Sequence, residues 1–158
     1  MHPITTFLWF NTEAEEAANF YVSIFKNAEI KKVTRTPEGV PGLEGGAVLT
    51  VEFILNGTAF VTLNGNTQYK STPSVSFVIN CDTQEEVDHY WDNLLAGGQS
   101  MACGWLTDKY GISWQITPTI LPKLIADKDQ KKANAAMQAM MQMIKLDIPT
   151  LQKAYDEA

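Results

Sequence analysis

One order of elements occurs twice in this 158-residue chain, and it limits the fold more than any other feature. Phe7 to Phe10 reads as a short strand, followed at once by Thr12-Glu13-Ala14-Glu15, the pattern in which a hydroxyl and a carboxylate reciprocally satisfy free amides at a helix start. Ala14, Ala17, Ala18, Tyr21, Ile24 and Phe25 then recur at helical spacing. Val75 to Cys81 repeats the strand, Thr83-Gln84-Glu85-Glu86 repeats the cap, and Val87, Tyr90, Trp91, Leu94 and Leu95 repeat the stripe before Gly97-Gly98 stops it. Each helix is followed by further strands. After the first come Ala28 to Thr36, Ala47 to Leu55 and Thr58 to Leu63, the last two joined by Asn56-Gly57, the dipeptide that suits a type I′ hairpin turn. After the second come Ser100 to Leu106 and Ile112 to Thr117, joined by a turn over 108–111. Such a repeat points to duplication, and to an α+β chain of paired βαβββ modules rather than a doubly wound parallel sheet.

The tail departs from this order. Ala133, Ala136, Met137, Met140, Met141 and Ile144 form an apolar stripe, and Pro149 sits in the first turn of a final helix that ends near Tyr155. The expected organisation is a 1–122 domain of two modules, about 4–65 and 74–118, with a 123–158 helical extension packing on it or on a dimer partner. The Pro37 to Gly46 stretch, PEGVPGLEGG, is a loop.

Charge narrows the function. Residues 1–122 carry 6 basic and 13 acidic side chains, and Arg35 is the sole arginine of the chain, so the clustered cations that hold a phosphate backbone are missing. Nucleic acid is not an expected partner. The N-terminal run MHPITTFLWFN has neither a basic start nor a long apolar stretch, and no later run suits a bilayer, so a soluble cytoplasmic protein without a membrane partner is expected. Cys81 and Cys103 make no disulfide framework and no Cys/His cluster for a metal.

Strand alternation separates faces. Leu49, Val51, Phe53 and Leu55 oppose Val48, Thr50, Glu52 and Ile54; Ala59, Val61 and Leu63 oppose Phe60, Thr62 and Asn64. Val75, Phe77, Ile79 and Cys81 oppose Ser74, Ser76, Val78 and Asn80, and Ile112, Trp114 and Ile116 oppose Ser113, Gln115 and Thr117. The helices are expected on the wholly apolar faces. The mixed faces then resemble a ligand cavity, apolar with few polar groups, unless they are ordinary half-exposed sheet surface. The candidate lining is Thr6, Leu8, Phe10, Glu52, Phe60, Thr62, Ser76, Trp105 and Gln115. Gln115 can donate and accept toward a carbonyl or hydroxyl, Trp105 can stack on a flat guest, and Glu52 is a candidate general base if buried. Cys103 has no neighbouring histidine to activate it as a nucleophile.

The repeated unit, the AEEAANFYVSIF helix, the FVTLNG strand and the closing DKYGISWQI together resemble the glyoxalase, bleomycin-resistance and extradiol dioxygenase superfamily, the vicinal oxygen chelate proteins, and within it the PhnB-like branch named for demethylubiquinone methyltransferase. The resemblance runs over about 5–118 and on to the MIKLDIPTLQKAY tail. It implies sheets curled into a cup-shaped cavity and a homodimer. Metal-using relatives place ligands at positions that fall near Thr6, Thr62, Ser76 and Gln115, which here are hydroxyls and an amide, poor ligands for a transition metal. His2 at the terminus and His89 on the second helix offer no cluster. No metal and no cofactor are therefore expected, and methyl transfer is discounted because Gly42 to Gly46 precedes a strand rather than opening a helix. The expectation is a metal-independent protein binding a small organic molecule, with binding or weak acid-base chemistry. The rivals are a metal-dependent lyase, isomerase or dioxygenase whose ligands include Glu52 and His89, and an interaction protein with a vestigial pocket.

Overall fold

Asn56 and Gly57 adopt φ of 45° and 83°, and the strands they join pair from Leu55 and Thr58 onward, as a type I′ turn requires. The computed structural model describes residues 4–41, 44–65 and 69–158; His2 and Gly42 lie outside them. The chain forms two units, Met1–Lys70 and Ser71–Ala158. In the first, β1 (Thr6–Phe10), α1 (Ala14–Ile24), β2 (Ala28–Arg35), β3 (Val48–Leu55) and β4 (Thr58–Asn64) make a four-stranded sheet in the order β1-β4-β3-β2. β1 runs parallel to β4 and the other pairs are antiparallel. In the second, β5 (Phe77–Cys81), α2 (Gln84–Leu95), β6 (Gln99–Ser100), β7 (Trp105–Thr107) and β8 (Ser113–Pro118) repeat the plan in the order β5-β8-β7-β6. Two mixed open sheets with helices are the α+β architecture of paired βαβββ modules.

The first core forms where α1 lays Ala14, Ala17, Ala18, Tyr21 and Ile24 on the sheet. Tyr21 stacks on Phe53 with ring centroids 6.2 Å apart, and Phe53 on Phe60 at 5.5 Å. Full burial of such a ring contributes about 2–3 kcal/mol through apolar area removed from water. In the second unit Val87, Tyr90, Trp91 and Leu94 of α2 are buried, as are Leu106, Trp114 and Ile116 of the strands beneath.

The two helix starts are built differently. At α2, Thr83 Oγ1 accepts from the Glu86 amide at 3.3 Å and a Glu86 carboxylate oxygen accepts from the Asp82 amide at 2.8 Å, so the expected cap forms. At α1 the Thr12 cap does not form. Glu13 accepts from the Thr12 amide, and the Ala14 amide donates instead to Asn64 Oδ1 at 2.8 Å. A strand residue fifty positions onward caps this helix, which is why the local pattern misled.

The expected strand from Ser100 to Leu106 is also interrupted. Cys103 and Gly104 both hold positive φ, 61° and 81°, which breaks it into β6 and β7. The tail supplies α3 (Leu121–Ile125), α4 (Gln130–Met141) and α5 (Ile148–Asp156), packed around Leu121, Leu124, Ala136, Leu146 and Leu151. Asp129 and Asp147 cap the two longer helices. The methionine stripe does not act as one buried face: Ala133 and Ala136 are inside, whereas Met141 and Ile144 are 61% and 58% exposed. Ile144 lies past the end of α4, so helical spacing no longer applies to it.

Candidate functional site

The first sheet turns its faces the opposite way from the sequence expectation on two of its strands. Thr6, Leu8 and Phe10 lie opposite Phe60, Thr62 and Asn64, and Phe60 and Thr62 lie opposite Phe53 and Val51, so all share the side covered by α1. Leu8, Phe10, Phe60 and Thr62 are buried there. Thr62 Oγ1 donates to the Ala14 carbonyl at 2.8 Å, and Asn64, besides capping α1, donates through Nδ2 to the Val48 carbonyl at 3.0 Å. The polar residues of β4 thus complete the helix start, and treating them as cavity lining placed them on the wrong face. Alternation in β1 carried no information, because both of its faces are apolar.

The face away from α1 carries Phe7, Trp9, Val61, Leu63, Thr50, Glu52 and Ile54. Phe7 and Trp9 are 61% and 47% exposed. Neither was selected from sequence, although an aromatic pair two residues apart on a strand was the available signal. Trp9 Nε1 donates to the Gly65 carbonyl at 2.6 Å, fixing the indole along the sheet edge. Glu52 lies on this face as expected, with Lys32 and Val61 as register partners, but it is exposed, whereas the base role requires burial.

The second sheet brings three of the candidates together. Trp105 on β7 and Val78 on β5 flank Gln115 on β8 in register, and Gln115 Nε2 donates to Ser76 Oγ at 2.8 Å. This bond leaves the Gln115 carbonyl oxygen and the second amide hydrogen as further bonding capacity. Trp105 and Gln115 are half-buried. Ser113 belongs to the same alternate set on β8; its Oγ is buried without a hydrogen-bond partner among the described residues. The opposite set, Phe77, Ile79, Cys81, Leu106, Trp114 and Ile116, forms the α2 side, where the Phe77 and Trp114 rings meet at 5.4 Å.

The hairpin between β7 and β8 is organised by one buried carboxylate. Asp108 Oδ1 accepts from the amides of Tyr110 and Ile112 at 2.9 and 3.0 Å, and Oδ2 accepts from Trp114 Nε1 at 2.9 Å. Gly111 holds φ of 84° and donates its amide to the Asp108 carbonyl. Most of the polar chemistry in DKYGISW is therefore turn construction.

The remaining reactive groups sit apart from this face. Burial, then the neighbouring charges of Glu86 and Asp82, pushes the Cys81 thiol up to about 12, and the sulfur lies inside the core. Cys103 is half-exposed, with its amide given to the Met143 carbonyl. His89 is exposed on α2 beside Asn93. Among the described residues no three His, Cys, Asp or Glu side chains come together to hold a metal. The positions at which the fold family uses ligands do not fit one either, because Thr62 is committed to Ala14 and Ser76 to Gln115. A methyl donor of the adenosylmethionine kind fits no better: among the described residues, the glycines with positive φ between β2 and β3, Gly39 and Gly46, sit between antiparallel strands and not on a strand-to-helix turn.

A cleft of about 530 Å³ opens in the first unit where α1 begins, lined among others by Thr12, Glu15, Thr36, Leu49 and Asn64. Its walls include the α1 capping residue Asn64, and Glu15 stands 3.9 Å from Arg35 at its side. It shares no residue with the sequence-derived candidates.

The paired modules, each with its first strand parallel to its last, define the vicinal oxygen chelate fold. The chain belongs to the family described as 3-demethylubiquinone-9 3-methyltransferase, which matches residues 2–117. Among solved structures, a PhnB protein from Bacillus cereus is 38% identical, with 75% of this chain and 100% of that one covered and a TM-score of 0.68. Protein PA1353 from Pseudomonas aeruginosa is 17% identical over 75% of this chain and 98% of its own, with a TM-score of 0.63. The fosfomycin resistance protein FosX from Mesorhizobium loti is 11% identical over 80% and 98%, with a TM-score of 0.56. The last two share the fold alone. No curated protein matches the chain. Among the described residues no helix is long and apolar enough to cross a membrane.

Proposed function

We propose that this chain is a metal-independent binding protein for a small, flat organic molecule carrying a carbonyl or hydroxyl, held at the Trp105–Gln115 face of the second sheet. The observation that carries this reading is the Gln115–Ser76 hydrogen bond at 2.8 Å with Trp105 in register beside it. An amide held by a hydroxyl is oriented before a guest arrives, so less rotamer freedom is lost on binding. The indole offers an aromatic surface next to it. The buried Ser113 hydroxyl, without a partner among the described residues, adds a donor that a guest's acceptor can satisfy. Weak acid-base chemistry is the most that this face supplies, since hydroxyls and an amide do not ionise near neutral pH. The methyltransferase activity in the family's description is not part of this reading.

Assembly as a homodimer in a reducing cytoplasmic setting belongs to the same reading. The exposed Phe7, Trp9, Met137 and Met141 supply apolar surface for a partner copy, and both cysteines are free. The binding claim is tested by thermal-shift titration with small aromatic amides, phenols and carboxylates, benzamide first, against the Trp105→Ala and Gln115→Ala variants. Stabilisation that disappears in both variants is the expected result. Responses that survive both substitutions place the site elsewhere. Elemental analysis showing one tightly held Zn, Ni, Mn or Fe per chain overturns metal independence.

A further inference from the structure

We infer that the C-terminal extension is a positioning element for Trp105, acting through the strap formed by Met143 to Leu146. Its consequence for binding rests on the reading above; its geometry does not. The family match ends at residue 117, and α3, α4 and α5 lie beyond it, yet the extension reaches back into the second module at the residues that precede Trp105.

The contact is made by backbone. The Cys103 amide donates to the Met143 carbonyl at 2.8 Å and the Gly104 amide to the Ile144 carbonyl at 2.7 Å. Both donors hold left-handed backbone, which for Cys103, with φ of 61° and a Cβ, is disfavoured relative to the right-handed region. The two hydrogen bonds to the strap offset that cost and hold the turn. Gly104 also accepts from the Ile116 amide at 2.8 Å, so a single residue joins the strap to β8. A Cβ there would stand 2.8 Å from the Ile116 oxygen and 2.9 Å from Leu146, so the strap approaches as closely as glycine allows.

Trp105 follows directly. Its carbonyl accepts from the Met101 amide and its own amide donates to the Ala102 carbonyl, so its backbone closes the turn whose other residues, Cys103 and Gly104, are bonded to the strap. The strap is anchored in turn on α2. Lys145 Nζ lies 2.7 Å from Asp88 and 3.2 Å from Asp92, while Gln84 donates to the Leu146 carbonyl at 3.2 Å and accepts from the Ile148 amide at 2.8 Å. Leu146 itself is buried in the core of the extension. Trp114, nine residues on in the same module, has its indole held by Asp108 instead.

That difference supplies the test. In the full chain, Leu146→Ala and the double variant Gln84→Ala/Lys145→Ala are compared by amide hydrogen exchange and by the indole NMR signals, assigned with Trp105→Phe. The expected result is roughly tenfold faster exchange at Cys103 and Gly104 and a displaced Trp105 indole signal, with the Trp114 indole proton protected to within about twofold of its original value. General destabilisation moves both indoles together, and that outcome overturns the inference, as does unchanged exchange at Cys103 and Gly104. The double variant leaves the core of the extension intact and decides the matter if Leu146→Ala does not fold. Benzamide affinity should fall severalfold in step with the Trp105 signal; an unsubstituted protein that ignores benzamide counts against the binding reading, while the exchange comparison still decides the positioning.

Discussion

Trp114 Nε1 donates to Asp108 Oδ2 at 2.9 Å with both side chains buried, and the other carboxylate oxygen takes two backbone amides of the same turn. A buried carboxylate is tolerated when its oxygens are filled in this way, and removing it strands three donors at once. Asp108→Ala should lose about 3 kcal/mol or more in urea unfolding. Asp108→Asn should lose less, because one oxygen still serves the backbone amides. An alanine variant within about 1 kcal/mol of the original would contradict this account of the hairpin.

The two helix starts predict opposite outcomes for similar substitutions. Asn64→Ala removes the acceptor for Ala14 and the donor to Val48, and should cost about 1–2 kcal/mol with fraying at the start of α1. Thr12→Ala, at the position that the local pattern favours, should be nearly neutral. Thr83→Ala should cost about 1 kcal/mol, since that cap does form. Denaturation midpoints for the three variants, measured at one protein concentration, compare them directly.

Ser113 offers a test in which stability and binding separate. Its hydroxyl is buried with no partner among the described residues, so Ser113→Ala should leave stability unchanged or raise it by up to about 1 kcal/mol. The same variant should weaken the response to benzamide if the hydroxyl serves a guest. A loss of stability above about 1 kcal/mol would mean that the hydroxyl has a partner in solution, such as an ordered water.

Cys81 gives an alkaline signature. Its thiol is raised from 9.0 to about 12 in the folded protein by burial and by the charges of Glu86 and Asp82. The unfolded chain releases this proton at lower pH than the folded one, so the contribution to stability is complete below about pH 9 and is lost as pH rises toward 12. Native protein treated with iodoacetamide near pH 8 should be alkylated at half-exposed Cys103 well before Cys81, as read by peptide mass spectrometry. Equal rates at the two sites would indicate an open second core.

Local features of the sequence were the legible ones. Asn56-Gly57 and Thr83 to Glu86 act on residues within four positions of themselves, and both adopt the geometry that their chemistry suggests. The failures share a physical cause, which is service to distant partners. Thr62 and Asn64 look like the polar side of a half-wet strand, but they complete a helix start some fifty residues earlier. Cys103-Gly104 interrupts a strand because carbonyls forty residues later accept its amides. On the second sheet, Ser76 and Gln115 lie on the side that alternation assigned, since buried Trp114 and Ile116 left only one side for Gln115, and Trp105, singled out for its place beside Gly104, joins them in register. On the first sheet Thr6, Leu8, Phe10, Phe60 and Thr62 went to the helix side, and Phe7 and Trp9 took the open one.

The Asn64 cap also sets an order of events during synthesis. The Ala14 amide has no side-chain acceptor from its own neighbourhood, so the first helix reaches its finished state only after β4 has emerged and closed the loop back to it. A nascent chain stalled short of residue 64 should therefore carry this helix frayed at its start, and one released a few residues later should lock the whole first module in a single cooperative step.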